Sequence, residues 1–233
     1  MTDDLKMAIE NLYSTFSIYP FKSTMEGCPC CVSDSDKEKI HSKPLRELDE
    51  DDLSRYAFKA MTTWGDTDDF RHYLPRIFEL LATTDFIVDT SVVLGKLDYG
   101  KWQNWSDNER KSIIQFLVAW WTDLIKHKSY FDNEAFIEIN KLTGDTDLLL
   151  NRWTVNFNDN SFSNFVDLIY NYYNDLTGKR KDFREIDDAS TQKLLEWIKK
   201  HSGMLEKGFF YFADKDTEFA EKISITQYML ELT

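Results

Sequence analysis

Residues 106–127, SDNERKSIIQFLVAWWTDLIKH, are the stretch that decides the fold class. They open with a capping box, in which the Ser106 hydroxyl and the Glu109 carboxylate each accept a hydrogen bond from the other residue's backbone N–H group. On a helix, the apolar residues that follow cover most of the circumference: Ile113, Ile114, Phe116, Leu117, Val118, Ala119, Trp120, Trp121, Leu124 and Ile125. A helix that is apolar on nearly every side belongs in a protein interior, with other helices around it. The stretch therefore predicts a buried central helix in an all-α domain.

The rest of the chain also favours helices. The 233 residues include only 8 Gly and 4 Pro, so turns are few and short, whereas many-stranded folds need many turns. The sequence Gly-Asp-Thr-Asp occurs at residues 65–68 and 144–147, each time between two predicted helices. It marks either a duplicated hairpin or two tight turns with the same capping chemistry. We predict a single all-helical domain over residues 1–233, built from antiparallel helical hairpins in an irregular array or α-α superhelix around the central helix.

Two neighbouring helices are predicted at residues 49–63 and 66–81. Their apolar residues recur at helical spacing. Asp49 or Asp52 is expected to cap the first helix, and Asp66 is expected to start the second.

Three segments depart from this helical pattern. Residues 21–44 are irregular and contain all three cysteines, although residues 34–41 fit a short solvated helix. Residues 179–187 run from basic to acidic with little to bury, which indicates a possible mobile loop. The aromatic run at residues 209–212 fits either a short strand or an extended stretch tucked into the core, because periodicity does not separate the two.

The formal net charge of −13 restricts the classes of partner. It argues against a large nucleic-acid interface, which draws on stripes of Lys and Arg, and it disfavours anionic membrane surfaces. We also find neither a secretory signal nor a membrane-spanning segment. Three cysteines are an odd number and too few for a disulfide framework, which is typical of a reducing compartment. We expect a cytoplasmic protein that binds neither nucleic acid nor membrane, and the oligomeric state is left open.

The first candidate site is the cluster Cys28, Cys30 and Cys31, with His41 ten positions after the last cysteine. Thiolates are good zinc ligands, and three cysteines with one histidine would complete a tetrahedral zinc site. Against zinc, the paired Cys-x-x-Cys knuckle is missing, and adjacent cysteines do not easily bind the same ion. Two alternatives remain open. Cys28 and Cys30 could form a redox pair, or the three cysteines only pack the irregular segment against the helices.

The second candidate site is a ligand- or partner-binding surface at the start of the helix predicted over residues 66–81. Its residues are Trp64, Asp66, Asp69, Arg71, His72 and Arg76. Arg71 and Arg76 could donate hydrogen bonds to an anion or a peptide carboxylate, and His72 lies between them as a histidine, the residue type that ordinarily serves as an acid or base. The alternative is a solvated helix face whose charges pair at i,i+3 and i,i+4 spacing.

Three motifs carry a resemblance. They are GCPCCV at residues 27–32, YAFKAMTTWGD at residues 56–66 and DFRHYLPR at residues 69–76. In these motifs the chain resembles a group of uncharacterised bacterial proteins, over residues 27–81. The resemblance implies a bacterial cytoplasmic protein and transfers no catalytic role to any residue. It makes the cysteine cluster and the segment around Trp64 the first places to look for function.

The common signatures of enzymes are missing from the sequence, including the Walker A loop, the zinc-protease helix and the nucleophile elbow. We therefore favour a binding or scaffold module for a protein or peptide partner, and we lean against an enzyme. One alternative is a zinc-stabilised or thiol-redox protein that uses the cysteine cluster, in which case zinc is the cofactor expected. A second alternative is an enzyme with acid–base residues near Asp66, Asp69, His72 and Arg76.

Overall fold

The computed structural model describes residues 1–179 and 182–232, and within these ranges the regular structure is helical. The α-helices are α1 (Asp3–Phe16), α2 (Asp34–His41), α3 (Glu50–Lys59), α4 (Thr67–Thr83), α5 (Thr90–Tyr99), α6 (Asp107–His127), α7 (Asn133–Thr143), α8 (Thr146–Arg152), α9 (Ser161–Asn174), α10 (Asp188–His201), α11 (Gly203–Phe212) and α12 (Thr217–Glu231). Short 3-10 turns lie at Leu45–Glu47 and Trp102–Asn104, and a π-helical turn, Asp175–Lys179, follows α9. The prediction of an all-α fold is confirmed, whereas the hairpin array around a central helix stays a prediction. Among the described residues, no helix combines the length and apolar character that crossing a bilayer requires.

The chain divides into two compact units, unit 1 (Met1–Trp120) and unit 2 (Trp121–Thr233). The boundary falls inside α6, between two adjacent tryptophans. Each unit has its own buried apolar residues. The single domain predicted over residues 1–233 stays a prediction.

Helix α6 forms where the sequence predicts it. The Ser106 N–H donates to Glu109 Oε2 at 2.8 Å, and the Glu109 N–H donates to Ser106 Oγ at 3.4 Å, so the predicted capping box is present. Trp120 and Trp121 are 3% and 0% exposed. The indole N–H of Trp121 donates to the Leu149 carbonyl at 3.0 Å, which satisfies the polar group that its burial would otherwise leave unpaired. The prediction of a helix that buries both tryptophans is confirmed.

In unit 1, α1 packs against α4. The Tyr13 hydroxyl of α1 donates to Glu79 Oε2 of α4 at 2.6 Å. Helix α4 buries the apolar stripe that the spacing predicts, namely Phe70, Tyr73, Leu74, Ile77, Phe78 and Leu81. It runs through Pro75 to Thr83 as one helix.

The core of unit 2 is aromatic. The rings of Trp121 and Trp153 meet edge to face with centroids 5.7 Å apart, and Phe131 stacks on Trp153 at 5.6 Å. Trp197 of α10 lies on the other side, 4.7 Å from Trp153. Aromatic pairs in such geometries contribute about 0.5–1.5 kcal/mol each beyond their buried area. They account for the high aromatic content of this chain.

Residues 209–212 lie in α11, so the predicted strand or extended stretch is wrong. The four-residue aromatic run is too short for its periodicity to reveal a helix. Helix α11 packs closely against α9: a Cβ atom on Gly208 would lie only 2.0 Å from Phe162 Cζ of α9. The glycine thus lets the α9 aromatic ring rest directly against the α11 backbone.

Helix α3 is shorter than predicted and ends at Lys59. Asp49 caps it, and Asp52 completes the capping box, as the sequence indicates. Ala60 leaves the helical region with ψ at 131°, and Met61 is left-handed with φ at 62°. Residues 60–63, which the sequence predicts as the end of this helix, therefore lie with Trp64 in the connection to α4.

The two Gly-Asp-Thr-Asp segments share the same local structure. Gly65 and Gly144 have φ of 70° and 63°, values that favour glycine. The Asp66 carboxylate then caps α4, and the Asp145 carboxylate caps α8. Both aspartates are N-caps, but Asp66 forms a capping box with Asp69, whereas the Asp145 side chain accepts from the Leu148 N–H alone. The duplication hypothesis stays open.

The predicted mobile loop at residues 179–187 is described only in part, because residues 180 and 181 lie outside the described ranges. In the described part, Phe183 and Ile186 are 0% and 4% exposed. These two side chains hold the end of the segment against unit 2. The predicted mobility itself stays a prediction.

Candidate metal centre

Backbone hydrogen bonds fold the segment at residues 27–32, the cysteine turn, against the connection between α3 and α4. The Cys28 N–H donates to the Thr63 carbonyl at 2.8 Å, and the Gly65 N–H donates to the Glu26 carbonyl at 2.7 Å. Within the turn, the Cys31 N–H donates back to the Cys28 carbonyl at 2.9 Å. This reversal brings side chains from both ends of the turn to the same side.

The cysteine turn gathers three sulfur atoms. Cys28 Sγ lies 3.0 Å from Cys30 Sγ, and Cys30 Sγ lies 3.7 Å from Cys31 Sγ. All three sulfurs lie within 4.8 Å of one another. Zinc–sulfur bonds of about 2.3 Å in a tetrahedral site place two sulfurs about 3.8 Å apart. The adjacent cysteines, which sequence spacing disfavours as joint ligands, are thus held at a separation that suits one ion.

The cluster is accessible from solvent. Cys30 is exposed, and Cys28 and Cys31 are half-buried. The Cys30 thiol hydrogen-bonds to Cys28 and lowers the pKa of Cys28 to about 7. The same hydrogen bond raises the pKa of Cys30 to about 11. One thiolate is therefore available near neutral pH, and thiolates are both the metal ligands and the nucleophiles of cysteine chemistry.

Two basic side chains of α3 reach the cysteine turn. The Lys59 ammonium donates to the Cys31 carbonyl, and Arg55 Nη2 donates to the same carbonyl at 3.3 Å. Arg55 also pairs through Nε with Asp36 Oδ2 at 2.8 Å. Neither residue is among those predicted from the sequence. The available signal was a pair of basic residues at i,i+4 spacing in an acidic chain, which places them on one helix face.

His41 is placed apart from the three sulfurs. Within the described residues, the group of candidate ligand atoms that lie within 4.8 Å of one another contains the three cysteines and does not include His41. Its Nε2 is buried without a hydrogen-bond partner, and its ring meets the edge of Phe21 at 5.1 Å. Burial lowers the pKa of His41 below its ordinary value. The structure therefore supports the cysteines as a group and does not bring the predicted fourth ligand to them.

The residues of the second predicted site do not form one surface: Trp64 lies in the core, and Asp66 caps the start of α4. Trp64 is 1% exposed, and its ring meets Tyr56 edge to face at 5.2 Å. Its placement on a partner-binding surface is therefore corrected, because a buried ring does not reach a partner. Asp66 accepts hydrogen bonds from the first turn of α4. Asp69 is 5% exposed and pairs with Lys22 at 2.9 Å.

The basic residues of the second site are paired inside unit 1. The Arg71 guanidinium lies over Trp105, 4.3 Å from its ring centre. His72 Nδ1 lies 2.9 Å from the Tyr19 carbonyl. Arg76 donates to the Leu48 carbonyl and to Glu79, each at 2.7 Å. Arg71 and Arg76 also pair at i,i+3 spacing with Asp68 and Glu79, as the predicted alternative of a paired helix face has it. The contacts with other segments of unit 1 go beyond that alternative.

Comparisons with family models, with curated proteins and with solved structures find no match to this chain. The resemblance of residues 27–81 to bacterial proteins with the same motifs stays a prediction. The geometry and chemistry of the cysteine turn are accordingly the observations that indicate a function.

Proposed function

We propose that the protein binds one soft metal ion through the thiolates of Cys28, Cys30 and Cys31, with zinc as the first ion to test. The observation that carries the proposal is the convergence of three sulfurs within 4.8 Å on a turn held by backbone hydrogen bonds. Soft thiolate ligands select zinc and other thiophilic ions over magnesium or calcium. The exposure of Cys30 gives such an ion a path to the site from solvent.

A metal titration tests this proposal. Protein purified without chelator and then reduced is titrated with Cd²⁺, a spectroscopic substitute for zinc, while metal–thiolate charge-transfer absorption and native mass are recorded. We expect one ion per chain, and we expect Cys28→Ser, Cys30→Ser and Cys31→Ser each to weaken binding. Ser35→Ala, an exposed hydroxyl loss four residues beyond the last cysteine, serves as the matched control. Retention of binding in all three cysteine variants would refute the proposal.

The same titration on His41→Ala tests the predicted fourth ligand. Because the structure does not group His41 with the sulfurs, we expect the affinity of this variant to match that of the wild type. A large loss, together with an unchanged circular dichroism spectrum, would restore His41 as a ligand.

Thiol–disulfide exchange is a second candidate, favoured by the 3.0 Å separation of Cys28 and Cys30. The Cys28 thiolate would attack a partner's disulfide and release one partner thiolate, and Cys30 would then displace the other to leave a Cys28–Cys30 disulfide. The partner gains the two electrons that the pair loses. Incubation with an oxidised small-molecule disulfide should then lower the protein mass by two hydrogens, and bound Cd²⁺ should block the reaction.

The binding or scaffold module for a protein or peptide partner stays a prediction, as does an enzyme site near Asp66, Asp69, His72 and Arg76. The internal pairing of these residues gives neither function direct support. A reducing, cytoplasmic location stays a proposal too. It is consistent with metal binding because it would keep the three thiols free.

A further inference from the structure

Lys59 is a half-buried cation without a carboxylate partner. In the described part of the chain, no carboxylate lies within ion-pair distance of its ammonium group, which contacts the Cys31 carbonyl instead. The formal net charge is −13, so carboxylates are abundant. Lys59 is therefore a lysine at the cysteine turn whose positive charge no carboxylate of the described chain neutralises.

Other basic side chains of unit 1 have their charge offset by carboxylates. Lys22 contacts both Asp66 and Asp69, and Lys43 contacts both Asp49 and Asp52. Arg55 shares the Cys31 carbonyl with Lys59 but is paired with Asp36. Lys59 is thus the member of this group whose charge is left for the sulfur cluster.

The charge on a filled cluster depends on the ion. A divalent ion with three thiolates carries a net charge of −1, whereas a trivalent ion such as As(III) with three thiolates is neutral. A fixed positive charge beside the cluster stabilises the first complex through Coulomb attraction and has little effect on the second.

Resting on the metal-binding function proposed above, we infer that the cysteine turn is matched to a divalent thiophilic ion and that Lys59 is the residue that determines this specificity. Its ammonium group supplies the positive charge that the divalent tris-thiolate complex lacks. The ammonium group donates its hydrogen bond to the Cys31 carbonyl oxygen, so it occupies none of the sulfurs that would bind the ion.

The two binding reactions differ in charge. A divalent ion replaces three thiol protons, forms three metal–sulfur bonds and leaves a complex of charge −1. Arsenite, As(OH)₃, forms three arsenic–sulfur bonds with three thiols and releases three water molecules, with no change in oxidation state or net charge. When all three thiols are protonated beforehand, a cation beside the site therefore affects the first equilibrium and not the second.

The test compares Cd²⁺ and arsenite binding in the wild type and in Lys59 variants, at one ionic strength and at a pH well below 7. At that pH the Cys28 thiol, whose pKa is about 7, is protonated before either probe binds. Lys59→Gln removes the charge and keeps an N–H donor for the Cys31 carbonyl, and Lys59→Met removes both. We expect Lys59→Gln to weaken Cd²⁺ binding about tenfold and to leave arsenite binding unchanged, because only the Cd²⁺ complex carries a net charge. Lys59→Arg should restore Cd²⁺ binding. Lys39→Gln, the loss of an exposed lysine on α2, is the matched control for the change in net charge.

The outcomes separate this inference from the proposed function. If the wild type binds neither probe, metal binding itself fails. If the wild type binds Cd²⁺ but folded Lys59→Gln and Lys59→Met bind it equally well, the role of Lys59 is refuted. If these variants lose Cd²⁺ and arsenite to the same extent, Lys59 only holds the turn in shape, and the charge argument is overturned. A selective loss of Cd²⁺ in either variant supports it.

Discussion

The cysteine turn and the first half of α4 both bring chemically active side chains together in unit 1. They differ in whether those side chains are already paired with other protein groups. On α4 and just before it, Asp69 is tied to Lys22 and Arg76 to Glu79 and to a backbone carbonyl. In the cysteine turn, the sulfurs contact mainly one another, and Cys30 is exposed. Clustering of charged residues alone therefore does not identify a site. A candidate site is distinguished by side chains that can bind a ligand and are not already paired with other parts of the protein.

The largest expected effect lies on the α4 side of this comparison. Replacing Trp64 by Ala should lower the free energy of unfolding by about 3–5 kcal/mol, because a fully buried aromatic ring is removed and a cavity is left. Urea unfolding measures the loss. Phe58→Ala removes a ring that is 58% exposed and serves as the control, with an expected change within about 0.5 kcal/mol. Equal losses in both variants would contradict the assignment of Trp64 to the core.

Metal binding should stabilise the cysteine-turn side. An ion that binds only the folded chain adds about 2.7 kcal/mol to the free energy of unfolding when its free concentration is 100 times Kd. We expect thermal unfolding of the wild type to shift upward with added zinc, and that of Cys31→Ser to shift much less. Equal shifts in both proteins would mean that zinc binds elsewhere.

The caps at the two Gly-Asp-Thr-Asp segments should have similar, smaller effects. Asp66→Ala and Asp145→Ala each remove a carboxylate that accepts hydrogen bonds from a helix start, which costs about 0.5–2 kcal/mol. Chemical denaturation measures both. The control Asp68→Ala removes an exposed ion pair and should change stability by less than about 1 kcal/mol. No loss in Asp66→Ala would show that the α4 side depends less on its cap than the hydrogen bonds indicate.

The two thiols of Cys28 and Cys30 should differ in reactivity, which is measured without any change in the sequence. Because the Cys30 thiol lowers the pKa of Cys28 to about 7 and its own pKa is raised to about 11, Cys28 becomes a thiolate first as pH rises. We expect iodoacetamide to alkylate Cys28 with a rate that climbs through pH 7, well before Cys30 reacts. Peptide mass mapping after brief exposure at pH 6, 7 and 8 measures the order. Faster alkylation of Cys30 would reverse the assignment of the thiolate.

Local chemistry made much of the fold predictable. Asp49 and Asp66 cap their helices because a short carboxylate before an apolar stripe satisfies free N–H groups, a rule that acts within four residues. The buried stripe of α4 follows from helical spacing alone. The position of Trp64 was not predictable in this way. It depends on the left-handed backbone of Met61, and periodicity carries no information about a non-glycine residue in that conformation.

The candidate site was predictable in its residues but not in its surroundings. The spacing of Cys28, Cys30 and Cys31 already placed three sulfurs on a short piece of chain. The contact between Lys59 and Cys31 spans 28 residues and depends on how α3 packs beside the turn, which no local pattern encodes. The same limit applies to His41. Its spacing from the cysteines predicts a fourth ligand, but in the folded chain its ring packs against Phe21.

The hydrogen bonds that fasten the cysteine turn to the residues before α4 have a consequence for the affinity of the turn for an ion. A loop that must fold around an ion loses conformational freedom on binding. Here Cys28 and Gly65 already hold the chain in its final course. We therefore expect the folded chain to bind Cd²⁺ more tightly than a free peptide of residues 27–32 does, because the peptide has to lose conformational freedom on binding.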